Sequence, residues 1–221
     1  MTTHALIFAN GELNDGPMVR RALTTAMPDA MVIAADAGAR LAGYFGLMVN
    51  TVIGDMDSLS PAELEMLTEQ GTNAKRYPQE KNETDLELAL LLAVKRGARW
   101  LRIIGALGGR FDQELGNLYL LALPALAKCD ARIVAGKQEI WIFRGGGAPL
   151  EIQGAKGDTI SLVPLNGPAV GVRTANLFYP LKDEPLEFGP ARGISNVMTA
   201  KKAKVALREG TLLVVHTIGR A

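Results

Sequence analysis

The stretch Thr51-Val-Ile-Gly-Asp-Met-Asp-Ser-Leu-Ser-Pro61 determines how we interpret the rest of the chain. Its first three residues are typical of a buried strand, and Ser60-Pro61 is typical of a helix start. If the strand continued through them, Asp55 and Asp57 would share one face. Two such charges ~4 Å apart repel by roughly 4 kcal/mol at an effective dielectric of about 20, which favours a cation between them. Taken alone, the Asp-x-Asp motif is more typical of a solvated turn than of a metal site. Further acidic positions are needed to choose between these two interpretations.

Composition limits the classes of protein to consider. The 221 residues are 48% apolar, which is enough for one large domain or two small ones. The 24 basic and 23 acidic side chains form no block of like charge, so we expect no nucleic-acid partner. The single cysteine, Cys129, excludes an intramolecular disulfide and fits a reducing compartment. We find no signal peptide and no apolar run long enough to span a bilayer, and therefore expect a cytoplasmic protein without membrane contact.

Apolar runs alternate with helix-period segments up to about residue 128. This alternation predicts an N-terminal, mostly parallel, Rossmann-like α/β sheet domain with both faces covered. The predicted strands are 5–9, 31–35, 51–53, 74–77 and 100–104. The predicted helices are 17–27, 39–45, 61–70, 85–96 and 111–127.

The pattern changes after about residue 130, where helical periodicity disappears and turn residues separate short runs. Residues 131–135 and 139–143 are β-rich, and 144–149 read as a linker. Ala203, Val205 and Leu207 alternate with charged residues, which predicts a half-buried strand paired with 212–215 across a turn. We therefore predict an α/β domain over residues 1–143 and a smaller all-β sandwich over 144–221.

Acidic residues recur at equivalent places in the first domain. Asp36 follows the second predicted strand, Asp55 and Asp57 follow the third, and Asp85 and Asp112 begin later helices. Because loops after parallel strands lie on one edge of a sheet, we expect these carboxylates to converge. Such a cluster needs a metal, and Mg²⁺ is the hard cation that carboxylates and phosphate oxygens bind together.

A glycine turn, Gly105-Ala-Leu-Gly-Gly-Arg110, leads from a predicted strand into a predicted helix. The backbone N–H groups of Gly108 and Gly109, with the positive end of the helix, favour a bound anion. The guanidinium of Arg110 matches phosphate oxygens. Lys81 is a second candidate phosphate contact, and a solvated surface lysine is an equal alternative.

Four motifs in order carry a family resemblance: Asp36-Ala-Gly-Ala-Arg-Leu41, Gly54-Asp-Met-Asp-Ser58, Glu80-Lys-Asn-Glu-Thr-Asp85 and Gly105-Ala-Leu-Gly-Gly-Arg-Phe-Asp112. Together they resemble the thiamine pyrophosphokinase family. The C-terminal half adds residues 174–181, Phe188-Gly189 and Gly193-Ile-Ser-Asn196, similar to that family's thiamine-binding β-domain. One departure is Ala37, since the family usually has Asp-Gly-Gly at this motif.

The resemblance implies transfer of a diphosphate from ATP to thiamine, with Mg²⁺, giving thiamine diphosphate and AMP. It implies Asp55, Asp57 and Asp85 as metal ligands and, with Asp112, as catalytic acids. For ATP it implies the residues Asp36, Lys81, Gly108, Gly109 and Arg110. For thiamine it implies Ser195 and Asn196. Because thiamine is a cation with two flat rings, we also expect Tyr179 or Phe178 beside its pocket, although both aromatics could instead belong to the sandwich core. Thr84 is a further candidate for substrate binding. The resemblance also implies a homodimer whose acceptor site lies at the subunit interface, with the second domain binding thiamine and forming the dimer.

Two other functions remain open at this point. The first is a related diphosphokinase acting on another hydroxymethyl acceptor, such as a pterin, because the acidic motifs would serve either acceptor. The second is a nucleotide-binding module without turnover, which would need the glycine turn but not every acidic residue.

Overall fold

A computed structural model describes residues 3–220 of the chain, which divides between Gly136 and Lys137 into two compact units. The sequence predicts the boundary after residue 143. The structure assigns the strand Gln138–Arg144 (β7) to the second unit because it pairs along its whole length with Glu209–Thr217 (β13). The first unit is α/β and the second is built from strands, as the sequence predicts.

The first unit contains a parallel sheet. Its strands are β1 (Thr3–Phe8), β2 (Met31–Ala35), β3 (Thr51–Gly54), β4 (Asn73–Arg76), β5 (Ala98–Ile104) and β6 (Asp130–Ala135). Their spatial order is β4-β3-β2-β1-β5-β6, and every neighbouring pair is parallel. The five strands predicted up to residue 128 are confirmed to within a few residues at their ends.

The helices are α1 (Pro17–Thr25), α2 (Gly38–Tyr44), α3 (Pro61–Glu69), α4 (Asp85–Lys95) and α5 (Phe111–Leu120). The predicted helix 111–127 is too long. Pro124 cannot donate a backbone hydrogen bond and disfavours helical geometry in the residue before it, so α5 ends and a separate 3₁₀ turn, Pro124–Leu126, follows. No helix within residues 3–220 has the length and apolar character needed to span a bilayer.

The core of the first unit explains why these strands are nearly continuous apolar runs. Ile7, Ile33, Ile53 and Ile103 are at most 1% exposed, as expected when helices cover both faces of a parallel sheet. Helix α4 contributes six buried apolar residues, Leu86, Leu88, Ala89, Leu90, Leu92 and Ala93, and contacts four strands of the sheet. This packing holds the strand ends, and the loops that follow them, in fixed positions.

The strand order reverses between β1 and β5. From β1 the chain moves outward through β2, β3 and β4, and then returns to the other side of β1 as β5. The loops after β1 and β5 therefore run in opposite directions and leave a crevice at the carboxyl ends of these strands. In doubly wound sheets this switch point is where ligands bind.

The second unit consists of two antiparallel sheets that share one long strand. Its further strands are β8 (Leu150–Gln153), β9 (Thr159–Ala175), β10 (Lys182–Leu186), β11 (Asn196–Val197) and β12 (Lys202–Ala206). The first half of β9 pairs with β13 and β11, and its second half pairs with β10 and β12. The sandwich is confirmed, but the predicted pairing of β12 with β13 is wrong. Strand β12 pairs instead with β8 and β9, while β13 lies between β7 and β9.

A buried hydrogen bond between His216 and Asp158 holds the end of β13 in place. His216 is 1% exposed, and its Nε2 lies 2.9 Å from Asp158 Oδ2. The same carboxylate accepts hydrogen bonds from the backbone N–H groups of Ala155 and Gly219 at 2.8 and 2.9 Å. Burial alone would raise the pKa of Asp158, but the hydrogen bonds from Gly219, His216 and Ala155 outweigh it and lower that pKa.

We expect Asp158→Ala to lower the free energy of unfolding by about 3 kcal/mol, because the buried His216 and two backbone N–H groups lose their acceptor. Chemical denaturation checks this. The matched control is Glu151→Gln on the exposed Lys204–Glu151 pair, expected to change the free energy of unfolding by less than about 1 kcal/mol. Equal effects of the two substitutions would contradict the role given to Asp158.

The stabilisation by Asp158 also depends on pH. Since folding lowers the pKa of Asp158, its contribution to the free energy of unfolding is fully present above the unfolded carboxyl pKa near 3.8 and is lost as the pH falls through the lower folded pKa.

Candidate active site

A cleft of about 760 Å³ lies beyond the carboxyl ends of the parallel strands in the first unit. The loops after five strands line it, represented by Asn10, Asp36, Asp55, Lys81 and Gly105. Its position is the crevice at the switch point. The sequence prediction that these loops converge is therefore correct for the first unit.

Three carboxylates form a cluster in this cleft. One oxygen atom from each of Asp36, Asp55 and Asp57 lies within 4.8 Å of the others. Asp36 is 5% exposed, and its Oδ1 has no hydrogen-bond donor among residues 3–220. Its Oδ2 accepts only a long bond, 3.3 Å, from the Ser58 N–H. A buried carboxylate oxygen without a partner among like charges is the signature of a cation site.

The acidic loop, residues 55–58, is a turn and not a continuation of the strand. Strand β3 ends at Gly54, and Met56 adopts a left-handed conformation with φ +65° while its side chain is buried. The Asp57 N–H then donates to Asp55 Oδ1 at 3.2 Å. Both carboxylates thus share one side of the chain, as the sequence predicts, but a buried methionine produces this geometry instead of strand periodicity.

Asp85 lies beside this cluster as the partner of Lys81. The Lys81 Nζ lies 3.1 Å from Asp85 Oδ1 and 3.6 Å from Asp55 Oδ2. Burial raises the pKa of Asp85 despite this lysine, and apart from the ion pair its Oδ1 has no hydrogen-bond partner within the described residues. Burial alone would lower the pKa of Lys81, but Asp85 and Asp55 outweigh it and raise that pKa. With 11% of its side chain exposed, Lys81 is not a solvated surface lysine.

Two glycines allow this arrangement. A Cβ atom on Gly54, whose φ is +148°, would lie 2.8 Å from Asp85 Cγ, so a side chain there would displace the carboxylate. A Cβ atom on Gly38 would lie 2.2 Å from the Phe8 carbonyl oxygen. The first turn of α2 therefore needs glycine at position 38. At position 37 the backbone is ordinary, with φ −66°, which explains why alanine is tolerated where the family usually has glycine.

The glycine turn already binds a carboxylate. The Gly108 N–H donates to Glu114 Oε1 at 3.0 Å, and Gly108, Gly109 and Arg110 line the cleft.

Asp112 does not join the acidic cluster. Its carboxylate is 65% exposed and pairs with Arg110, whose Nε lies 3.1 Å from Asp112 Oδ1. At the first turn of α5, the adjacent arginine holds Asp112 at the surface, and its catalytic role stays a prediction.

Several polar residues that line the cleft were not predicted from the sequence, among them Glu12, Glu114 and Asn117. Glu12 follows β1, and Glu114 and Asn117 lie on α5, where the Asn117 amide donates to the Ala106 carbonyl oxygen at 2.8 Å. Their spacing of three residues on a helix that begins at the glycine turn could have indicated both α5 side chains. Thr84 also lines the cleft, and its hydroxyl caps α4 by accepting from the Glu87 N–H at 3.2 Å.

In the second unit, the residues predicted for the acceptor lie together. The Asn196 side chain is buried and binds the backbone of Tyr179 twice, accepting from its N–H at 2.9 Å and donating to its carbonyl at 2.7 Å. Ser195 has a left-handed backbone, and its N–H donates to Ser161 Oγ at 3.0 Å. Tyr179 and Phe178 form an edge-to-face pair, and both are 64% exposed. These aromatics are therefore not sandwich core, and Asn196 holds one of them in place.

An acidic cluster, a largely buried lysine and a glycine turn at the switch point of a doubly wound sheet are features typical of a phosphotransferase site. Two family models match this chain. One is described as thiamin pyrophosphokinase, catalytic domain, and matches residues 25–134. The other is described as thiamin pyrophosphokinase, vitamin B1 binding domain, and matches residues 149–212. The chain belongs to the thiamin pyrophosphokinase family, as its motifs predict, and this family is one of diphosphotransferase enzymes.

Individual relatives agree with this assignment. The thiamine pyrophosphokinase of Bacillus subtilis is 26% identical over 172 residues, covering 78% of this chain and 80% of the relative. Thiamine pyrophosphokinase 1 of Arabidopsis thaliana is 28% identical over 166 residues, which cover 71% of this chain but 61% of the plant protein.

Solved structures show the same fold. The Bacillus subtilis thiamine pyrophosphokinase superposes with a TM-score of 0.85 at 23% identity, covering 98% of this chain and 99% of that one. The yeast thiamin pyrophosphokinase superposes with a TM-score of 0.78 at 16% identity, covering 98% and 86%. At these identities the structural likeness establishes the fold alone.

The geometry separates the predicted acidic residues by their position relative to the carboxylate cluster. The sequence predicts Asp55, Asp57 and Asp85 as ligands, whereas the structure groups Asp36 with Asp55 and Asp57. We expect Asp57→Asn to abolish most Mn²⁺ binding without unfolding the protein, since it removes one of several repelling charges. Asp112→Asn should bind Mn²⁺ as the wild type does, because Asp112 lies outside the cluster. Equilibrium titration followed by electron paramagnetic resonance checks both variants, and equal losses would contradict the assignment.

Proposed function

We propose that this chain transfers the terminal diphosphate of ATP to the hydroxyl group of thiamine, giving thiamine diphosphate and AMP. The observation that carries the proposal is the carboxylate cluster around the unpaired Asp36 Oδ1 in the switch-point cleft of a thiamin pyrophosphokinase family member. A pterin acceptor is not favoured, because the vitamin B1 binding model matches the second unit. A module without turnover is not favoured either, because the family is one of enzymes.

The phosphates of ATP would bind along the glycine turn and the basic side chains of the cleft. The contact between Gly108 and Glu114 supports this, since a carboxylate already accepts a hydrogen bond at the turn where an incoming phosphate oxygen would do so. Arg110 is exposed beside the turn and can swing from Asp112 to a phosphate. Lys81, directed at the acidic cluster, would neutralise charge at the reacting end.

The residues present fit a magnesium ion. Asp36, Asp55 and Asp57 offer hard oxygen donors close together, and one of these carboxylates is buried with an unused oxygen. When bound there, Mg²⁺ would neutralise and orient the phosphate oxygens. In this proposal Asp36 contributes to metal binding in addition to the ATP site that the sequence predicts for it.

Asp85 is suited to accept the proton of the attacking hydroxyl. Burial raises its pKa, which makes it a stronger base than an exposed carboxylate, and the ion pair with Lys81 fixes its position. The thiamine oxygen forms a bond to the β-phosphorus as the bond from that phosphorus to the α–β bridging oxygen breaks. AMP leaves with the bridging oxygen, and the hydroxyl proton passes to Asp85.

For thiamine, we propose the segment around Tyr179 and Ser195, with Thr84 at the acidic cleft. Flat exposed rings suit a cationic heteroaromatic acceptor, and Asn196 fixes the backbone that carries them. Following the family resemblance, we propose a homodimer in which the β unit of one subunit serves the α/β unit of its partner. A cytoplasmic location is likewise a proposal, supported by the single cysteine of the chain.

Incubation of the purified protein with ATP, MgCl₂ and thiamine tests the function. We expect AMP and thiamine diphosphate to form in equal amounts, with no ADP, because the β-phosphorus is attacked. Chromatography of the nucleotides and of the thiamine esters measures both products. Formation of ADP and thiamine monophosphate, or turnover only with a hydroxymethylpterin, would contradict the proposal.

Mixed dimers test the shared site. We expect Asp57→Asn and Tyr179→Ala homodimers to be nearly inactive, and a verified heterodimer of the two to regain one intact site of every two. Tyr44→Ala removes a similarly exposed tyrosine of the first unit and should remain active, which makes it the matched control. A heterodimer that stays inactive would mean that each site is built within one chain, or that Tyr179 does not bind the acceptor.

A further inference from the structure

The acidic loop has few internal restraints. Its buried anchor is Met56, whereas the Asp57 carboxylate is exposed. That carboxylate accepts one hydrogen bond within the loop, from Ser58 Oγ at 3.0 Å, and a long contact of 3.5 Å from Gln79 Nε2. Mutual repulsion of the carboxylates favours opening of the loop. A group outside the loop is needed to keep it in the conformation that closes the cluster.

Arg40, on α2, supplies that restraint. Its Nη2 donates to the Ser58 carbonyl oxygen at 2.9 Å, at the end of the acidic loop. The Ser58 N–H donates to Asp36 Oδ2 at 3.3 Å. The backbone of Ser58 is therefore held between Arg40 on one side and the buried Asp36 on the other. Arg40 thus contacts the acidic loop through the Ser58 backbone, and it is not among the residues that line the cleft.

Glu63 in turn holds Arg40. The guanidinium is bidentate, with Nε 2.6 Å from Glu63 Oε1 and Nη2 3.0 Å from Glu63 Oε2. Glu63 is fixed by the capping box at the start of α3, where it accepts from the Ser60 N–H at 2.8 Å. Arg40 and then the Ser60 N–H lower the pKa of Glu63 to about 2, so the pair stays ionised at neutral pH. We call Arg40, Ser58 and Glu63 the arginine clamp.

The clamp is poorly suited to stabilise the fold. The Arg40 side chain is 54% exposed, and exposed ion pairs contribute little to the free energy of unfolding. A lysine could not make the same set of contacts, because bridging a carboxylate in two places and a carbonyl needs the planar fork of arginine. The geometry is that of an outer-shell group that orients metal ligands.

We propose that Arg40 is a positioning residue for the metal site: the clamp fixes the acidic loop so that Asp36, Asp55 and Asp57 meet on one cation. This inference rests on the proposed function, since it assumes that the carboxylate cluster binds the metal. It assigns Glu63 as the residue that orients Arg40, and it connects the start of α3 to the cleft through backbone contacts.

Mn²⁺ alone is the probe, titrated into the purified full-length protein and followed by electron paramagnetic resonance of the free ion. We expect Arg40→Ala to weaken Mn²⁺ binding by about 10- to 100-fold, the usual effect of removing an outer-shell partner. Arg40→Lys should recover part of this loss. Glu63→Gln keeps the capping box but removes the charge that orients Arg40, so it should also weaken Mn²⁺ binding. If Arg40→Ala does not fold, Glu63→Gln tests the clamp in its place.

Arg20→Ala is the matched control, because Arg20 makes an equally exposed bidentate pair with Asp15 and contacts no residue of the acidic loop. It should bind Mn²⁺ as the wild type does. Wild-type affinity in a folded Arg40→Ala or Glu63→Gln variant overturns the clamp, as does an equal loss in Arg20→Ala. A wild type that binds Mn²⁺ but forms no AMP would overturn the proposed function and leave the clamp intact.

Discussion

The first unit depends on how the chain tolerates a buried, unpaired carboxylate. Asp36 is 5% exposed, has a left-handed backbone and keeps one oxygen without a hydrogen bond within residues 3–220. Such a group is costly in an apolar surrounding, and two further carboxylates beside it increase the cost. A protein retains this arrangement when a ligand compensates for it. Around Asp36, the buried Met56 and the Asp85–Lys81 ion pair both keep the acidic side chains close together.

Topology provides the space for that charge. Because the strand order reverses between β1 and β5, two loops separate and open the cleft. The parallel arrangement brings the loops after β2, β3 and β4 to the same edge, so five segments distant in sequence contribute to one site. The sheet core, which consists mostly of aliphatic side chains, keeps the ends of these loops in fixed positions. The second unit organises its own surface in a comparable way, with the buried Asn196 supporting the exposed Tyr179.

Charge balance in the cleft is local. Lys81 contacts Asp85 and Asp55, and Arg110 contacts Asp112, so each of these two cations has an acidic partner in the absence of substrate. Lys81 is nearly buried and remains tied to the reacting end. Arg110 is exposed and can exchange Asp112 for phosphate at little cost, since an exposed pair is weak. The difference in burial therefore separates Lys81, which stays at the site, from Arg110, which can follow a ligand.

The sequence by itself determined the alternation of strands and helices, the sandwich that follows and the family, because hydrophobic periodicity and local motifs are encoded by neighbouring residues. Tertiary structure decided what depends on distant contacts. It separated β12 from β13 by β9 and moved the domain boundary ahead of β7. It also joined Asp36 to Asp55 and Asp57, paired Asp85 with Lys81 and left Asp112 at the surface. Spacing predicts that carboxylates share an edge of a sheet, but only packing and neighbouring charges determine which of them meet.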